Sequence, residues 1–232
     1  NAYSTESDID AALTGVYADL APYPGDVWMY YGGYLVMTTD YTTDMGFSTA
    51  AGDPTKHSNF TYDANSRYIR YNWQYMYQVI SNANMLLSKV DGVTMDDTKR
   101  AQIKAQARFL RALAYRDLTD TWGPVPLITD IVKAIETRDM PLSSVADVDK
   151  VIIDDLKYGI ANLPETWSTS DGLSRATKGA ATALLGQVYL RAHDYTNAKT
   201  YIDMVLAQRA AGVYIKIFHS KEDDPAGFLA IC

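Results

Sequence analysis

The chain has 232 residues, 47% of them hydrophobic, which is enough to bury a sizeable core. Lys plus Arg number 21 against 28 Asp plus Glu, a net charge of −7 with no basic run to follow a phosphate backbone, and this argues against nucleic acid as a partner. The one cysteine, Cys232, excludes a disulfide or a cysteine-based metal site, and no apolar run approaches the roughly 20 residues of a membrane helix.

Thr5 to Leu20 reads as a first helix. Thr5 with Asp8 three residues on matches a capping arrangement, and Ile9, Ala12, Leu13, Val16, Tyr17 and Leu20 share one face. From Pro22 to Asn65 the periodicity fails, with Pro24-Gly25, Gly32-Gly33, Gly46 and Gly52-Asp53-Pro54 as punctuation. A connection of this length is functional or disordered, and its aromatic content argues for order. The segment is therefore expected to be an ordered surface loop region with a short helix around Tyr31 to Met37. Eleven of the 18 tyrosines lie between Tyr17 and Tyr77. A flat apolar face with a hydroxyl suits both stacking on sugar rings and packing between helices.

Asn65 to Lys89 is predicted as a second long helix, with Trp73, Met76, Tyr77, Ile80, Ala83 and Leu87 stepping by three and four. Asp91-Gly92 ends it. Asp96 or Asp97 then caps a third helix of about 39 Å at the usual rise. Ile103, Ala107, Leu110, Ala114 and Leu118 form its apolar stripe, while Lys104, Arg108, Arg111 and Arg116 occupy other faces. It should stop near Thr121, because Trp122-Gly123-Pro124-Val125-Pro126 removes backbone donors and fixes φ. Trp122 reads as a wedge at that stop, and Arg108 and Arg111 as structural partners of nearby carboxylates or helix ends. Trp122 to Ser143 is an irregular insert. Ser143 or Ser144 caps a fourth helix through Asn162, with Val148, Val151, Ile152, Leu156 and Ile160 inward.

Leu185-Gly186-x-x-Tyr189 followed by Ala198-x-x-x-Ile202 matches the tetratricopeptide pattern. Gly186 and Ala198 are small where two helices must approach closely, and Asp194 is placed to cap after the turn. One such unit cannot bury its face alone, so neighbouring helices should stack on it. The fold class that follows is all-α: a tetratricopeptide-like helical repeat bundle with long irregular loops.

No catalytic constellation stands out. His57, His193 and His219 share no metal-ligand spacing, and phosphate-loop, dinucleotide and G-x-S-x-G signatures are missing. Asp40 and Asp44 could in principle flank a glycosidic bond, but loop carboxylates more commonly face solvent or accept hydrogen bonds from ligand hydroxyls. The chain is read as a non-enzyme that needs no cofactor and no metal.

Three separated stretches carry a family resemblance: Trp73, Tyr77, Ile80 and Ala83-Asn84 with Leu86-Leu87; Ala107 to Ile128, ARFLRALAYRDLTDTWGPVPLI; and Arg175 to Gly186, RATKGAATALLG. Together they resemble the SusD/RagB family of Bacteroidetes outer-membrane nutrient-binding lipoproteins. The resemblance runs from about Asn1 to Ala211. It implies one SusD-like domain, expected to be truncated: first helix 1–21, loop region 22–65, long helix pair 66–121, insert 122–143, repeats 144–212 and a divergent tail 213–232. It further implies a glycan or oligosaccharide ligand, a SusC-like TonB-dependent transporter as partner, and a lipid anchor in the precursor at the extracellular face of the outer membrane. The alternative is a helical-repeat adaptor that binds protein and no sugar.

The family's ligand lies against an aromatic arc supplied partly by loops around the start of the second long helix. Trp28, Tyr30, Tyr31, Tyr34, Asp40, Asp44, Tyr62, Arg67, Tyr68, Arg70 and Trp73 are the residue types available there. On that implication the ligand-binding candidates are Asp40, Asp44, Arg67, Tyr68 and Trp73, with Trp73 also suited to packing inside the bundle.

Overall fold

The computed structural model describes residues 3–20, 30–44, 46–131, 140–168 and 174–210. Trp28, His219 and Cys232 lie outside them. Eight α-helices occur among the described residues: α1 (Glu6–Ala18), α2 (Tyr34–Thr39), α3 (Asp53–Ser58), α4 (Arg67–Lys89), α5 (Asp97–Trp122), α6 (Val145–Asn162), α7 (Lys178–Arg191) and α8 (Tyr195–Ala210). The same residues contain no strand, only an isolated bridge between Val125 and Ser143 that closes the base of the insert. The all-α expectation holds.

Helix α5 is the axle of the bundle. α4 and α6 pack on it from two sides, α1 crosses both α4 and α5, and α6, α7 and α8 follow one another in sequence and in space. Ile103, Ala107, Leu110, Ala114 and Leu118 are all buried, as the stripe requires, but so are Ala105, Gln106, Ala112, Tyr115, Asp117 and Thr119. With neighbours on several sides, α5 has little free surface, and the stripe understates its burial. Gly123 ends it at φ 72°, a left-handed conformation that glycine adopts without strain, and its N–H bonds to Thr119.

The helix starts are chemically explicit. Thr5 accepts from the Asp8 N–H while the Asp8 carboxylate accepts from the Thr5 N–H, a reciprocal box. Asp96, Ser144 and Thr177 accept from the third residue beyond them at the starts of α5, α6 and α7. In the α7–α8 pair a Cβ on Gly186 would meet Ile202 Cγ1 at 3.1 Å, so the small residue permits the close crossing. Tyr189 stacks on Tyr201 at 5.6 Å and Asp194 caps α8 through the Asn197 N–H.

The loop region carries more helix than its punctuation suggests. A 3₁₀ turn at Tyr30–Gly32 leads into α2, a second at Asp40–Thr42 follows it, and α3 begins at Asp53 with a proline in its first turn. Tyr34, Met37 and Tyr68 form a small core of their own, flanked by Tyr41, Tyr71 and Tyr75, where α2 lies on α4. Much of the tyrosine excess is thus mortar between the loop region and the bundle.

Candidate ligand-binding cleft

The loop end of the bundle is fixed by buried polar bonds. The Arg111 guanidinium grips Asp155 with two bonds of 2.7 and 2.8 Å and donates a third to Asn84 Oδ1 at 2.6 Å. Asn84 Nδ2 and the Tyr115 hydroxyl both donate to the Ile128 carbonyl, and the Ile128 N–H donates back to Tyr115. Tyr77 donates to the Pro126 carbonyl at 2.7 Å. Arg111 is therefore structural, as expected from its position. Tyr77 and Asn84 of the first resembled stretch and Tyr115 of the second thus hold Pro126 and Ile128 against α4 and α5. Each bond satisfies a backbone or charged group that would otherwise be stranded in the core.

A second network ties the loop region to α5. The Tyr30 and Tyr31 hydroxyls both donate to Asp117 Oδ2 at 2.6 Å, and Arg116 lies 3.0 Å from the other carboxylate oxygen. Burial pushes the Asp117 carboxyl above its ordinary range, against the pull of Arg116 and the two hydroxyls. Burial and the same carboxylate hold both tyrosines protonated.

A cleft of about 220 Å³ is lined by Thr38, His57, Tyr62, Ile69, Thr121 and Trp122. Tyr62 stacks flat on the His57 ring, centroids 4.4 Å apart and planes 10° off parallel, and keeps 38% of its surface in solvent. His57 is 1% exposed; its Nε2 meets Ser66 Oγ at 2.9 Å and its Nδ1 has no protein partner. Burial lowers the His57 pKa, so the ring is neutral at physiological pH. Thr38 Oγ1 donates to the Tyr34 and Leu35 carbonyls and accepts from Asn72, while Thr121 Oγ1 donates to the Asp117 carbonyl. Both hydroxyl protons are occupied, and Thr121 keeps its oxygen as an acceptor.

None of the five expected residues lines this cleft. Asp40 sits in the 3₁₀ turn just beyond Thr38, exposed, accepting from Thr39. Asp44 is exposed on the following loop. Arg67 lies over the Tyr68 ring, donates to its hydroxyl at 3.2 Å and approaches Asp53 at 3.8 Å. Tyr68 is 1% exposed, wedged between Tyr34 and His57, so its ring has no free face for a ligand. Trp73 is half-buried and packs on Tyr77 and edge-on to Trp122. Tyr68 and Trp73 thus stand one layer behind the cleft, backing His57 and Trp122.

His57 and Trp122 line the cleft and are not among the five expected residues: a lone loop histidine carries no local signal of a site, and Trp122 reads as a wedge at a helix stop. Phe60 closes α3 at φ 56° with its ring 65% exposed, an uncommon conformation for a bulky residue. Phe47 is 76% exposed beside Ser48, whose N–H bonds to Ser58. No helix among the described residues is long and apolar enough to cross a membrane, and no cluster of possible metal ligands occurs among them.

Residues 2–190 match the family model of SusD-like proteins described as starch-binding associating with outer membrane. The SusD-like protein P2 of Formosa agariphila is 28% identical over 212 residues, which are 90% of this chain and 40% of that protein. A solved laminarin binding SusD-like protein aligns with a TM-score of 0.74 at 28% identity, over 88% of this chain and 44% of its own. A SusD-like carbohydrate binding protein from Bacteroides vulgatus aligns with a TM-score of 0.78 at 24% identity, over 89% and 45%, and shares the fold. The chain spans less than half the length of these relatives. The match over residues 2–190 makes this chain a member of the SusD-like family, whose model is described as starch-binding associating with outer membrane.

Proposed function

We propose that this chain belongs to a non-catalytic receptor that holds an oligosaccharide at the outer face of the outer membrane, for import through a partner SusC-like TonB-dependent transporter. The observation that carries the reading is the cleft beside Trp122: aromatic faces, an aliphatic floor and neutral polar atoms on a rigid base are what a sugar ring requires. The laminarin-binding relative supports a glycan as the ligand class. In this reading Asp40 and Asp44 accept hydroxyls of the glycan from the exposed rim. Arg67 contributes a donor beside them, and Tyr68 and Trp73 keep the cleft walls in place. A lipid anchor in the precursor would hold the receptor to the membrane.

Affinity electrophoresis against a panel of laminarin, starch, mannan, xylan and pectin tests it. Retardation by at least one polysaccharide is expected, with no release of reducing ends. A folded chain that no polysaccharide retards, or one that releases reducing ends, overturns the reading.

A further inference from the structure

We propose that the cleft lined by Thr38, His57, Tyr62, Ile69, Thr121 and Trp122 is a subsite for one uncharged sugar ring, and that it rejects uronic acid and sulfated units. This rests on the glycan-binding reading and specifies its substrate class. Three observations carry it.

The first is size. At about 220 Å³ the cleft falls below the roughly 300 Å³ at which pockets for drug-sized ligands begin, which leaves room for a ring and not for a branched cluster. Tyr62 presents a partly exposed face on one side and Trp122 lies on another, so the ring's C–H face has an aromatic surface to meet.

The second is the orphaned ring nitrogen. His57 Nε2 and Ser66 Oγ can share their proton either way, so Nδ1 is an acceptor in one tautomer and a donor in the other. A sugar hydroxyl both donates and accepts and suits either form, and reaches Nδ1, which is buried as the cleft stands, once the groups packed on His57 shift. A carboxylate or sulfate only accepts and suits only one.

The third is charge. None of the six lining residues carries a formal charge once His57 is neutral. Lys56 lies 3.7 Å from Asp53 and Arg67 3.8 Å from the same carboxylate, in exposed pairs, and neither is among the lining residues. The exposed carboxylates Asp40 and Asp44 have no ion-pair partner among the described residues. An anionic sugar entering here would lose water and find no cation among the lining residues.

Isothermal titration of the chain with laminarihexaose, maltohexaose and hexagalacturonate tests this, together with Tyr62→Ala and His57→Phe variants. Tyr62 is partly exposed, so its removal leaves the fold standing; unchanged melting of each variant verifies that. The expected result is a neutral hexasaccharide bound at least about tenfold more tightly than hexagalacturonate, with each variant about tenfold weaker for the neutral sugar. Hexagalacturonate binding as tightly as the neutral sugars overturns the proposal. So does neutral binding that both variants leave unchanged, which would keep the glycan-binding reading and place the ring elsewhere. Binding of no glycan at all, here and in the polysaccharide panel, overturns both.

Discussion

Trp122 stands edge-on to Trp73, with ring centroids 5.3 Å apart and planes at 82°. One ring ends α5 and lines the cleft; the other belongs to α4 and is packed against the core. An edge-to-face pair of this kind adds about 0.5–1.5 kcal/mol to the area it buries and fixes the orientation of both rings. Trp73→Ala is therefore expected to cost about 2–3 kcal/mol in stability, less than a fully buried tryptophan because Trp73 is half-buried. It should also weaken glycan binding by freeing Trp122. Urea unfolding and titration of the same variant check both; intact binding with lost stability would disconnect Trp73 from the cleft.

The Arg111–Asp155 pair is almost wholly buried, and its third bond reaches Asn84. Arg111→Met leaves the Asp155 carboxylate in the core with only Arg108, 3.8 Å away, and a loss of about 3–5 kcal/mol is expected. The double change Arg111→Met with Asp155→Leu removes both charges and should recover part of that loss. Chemical denaturation of the two variants decides it: a double variant no more stable than the single one would contradict the account.

Alkaline pH should unfold the protein through its tyrosines. Burial pushes Tyr17 and Tyr115 up to about 12 from an unfolded value of 10.0, and raises Tyr30, Tyr31 and Tyr77 further. For a group whose folded pKa is raised, the stabilisation is complete below the unfolded value and disappears as pH climbs towards the folded one. Stability should be flat to about pH 9 and then fall between 10 and 12, by about 1.4 kcal/mol per pH unit for each such tyrosine. Tyr115→Phe should make the decline shallower. Denaturant titrations at stepped pH measure it, and an unchanged slope would refute the assignment.

Phe60 holds a left-handed conformation that costs a non-glycine residue about 1–2 kcal/mol, and its exposed ring recovers little of this by packing. Phe60→Gly is expected to stabilise the chain by about 1 kcal/mol. A shift of the thermal midpoint upward checks it; a downward shift would mean that the ring makes contacts that matter to the fold.

What the sequence makes legible follows from what is local. The four long helices α1, α4, α5 and α6 and the α7–α8 repeat show as periodicity and caps: Thr5, Asp96, Ser144 and Asp194 each cap where their spacing to the next apolar run places them. α3 escapes because Gly52-Asp53-Pro54 signals a turn and a helix start equally well, and six residues are too few for a period to show. Within α4 the inward line runs through Tyr68, Asn72, Met76 and Val79, so Trp73 and Tyr77 flank it. The cleft is harder still. It joins residues of α2, α3, α4 and the end of α5, and α2 reaches α4 through Asn72, whose amide donates to the Tyr34 carbonyl and the Thr38 hydroxyl. Nothing in local spacing encodes that tertiary bond. Nor does local spacing show that Tyr68 is buried and Tyr62 partly exposed.

The most direct test is a crystal structure of the chain soaked with the neutral hexasaccharide that binds it. The account predicts one sugar ring between Tyr62 and Trp122, with a hydroxyl at hydrogen-bond distance from His57 Nδ1. A glycan bound elsewhere with this cleft left empty would contradict it.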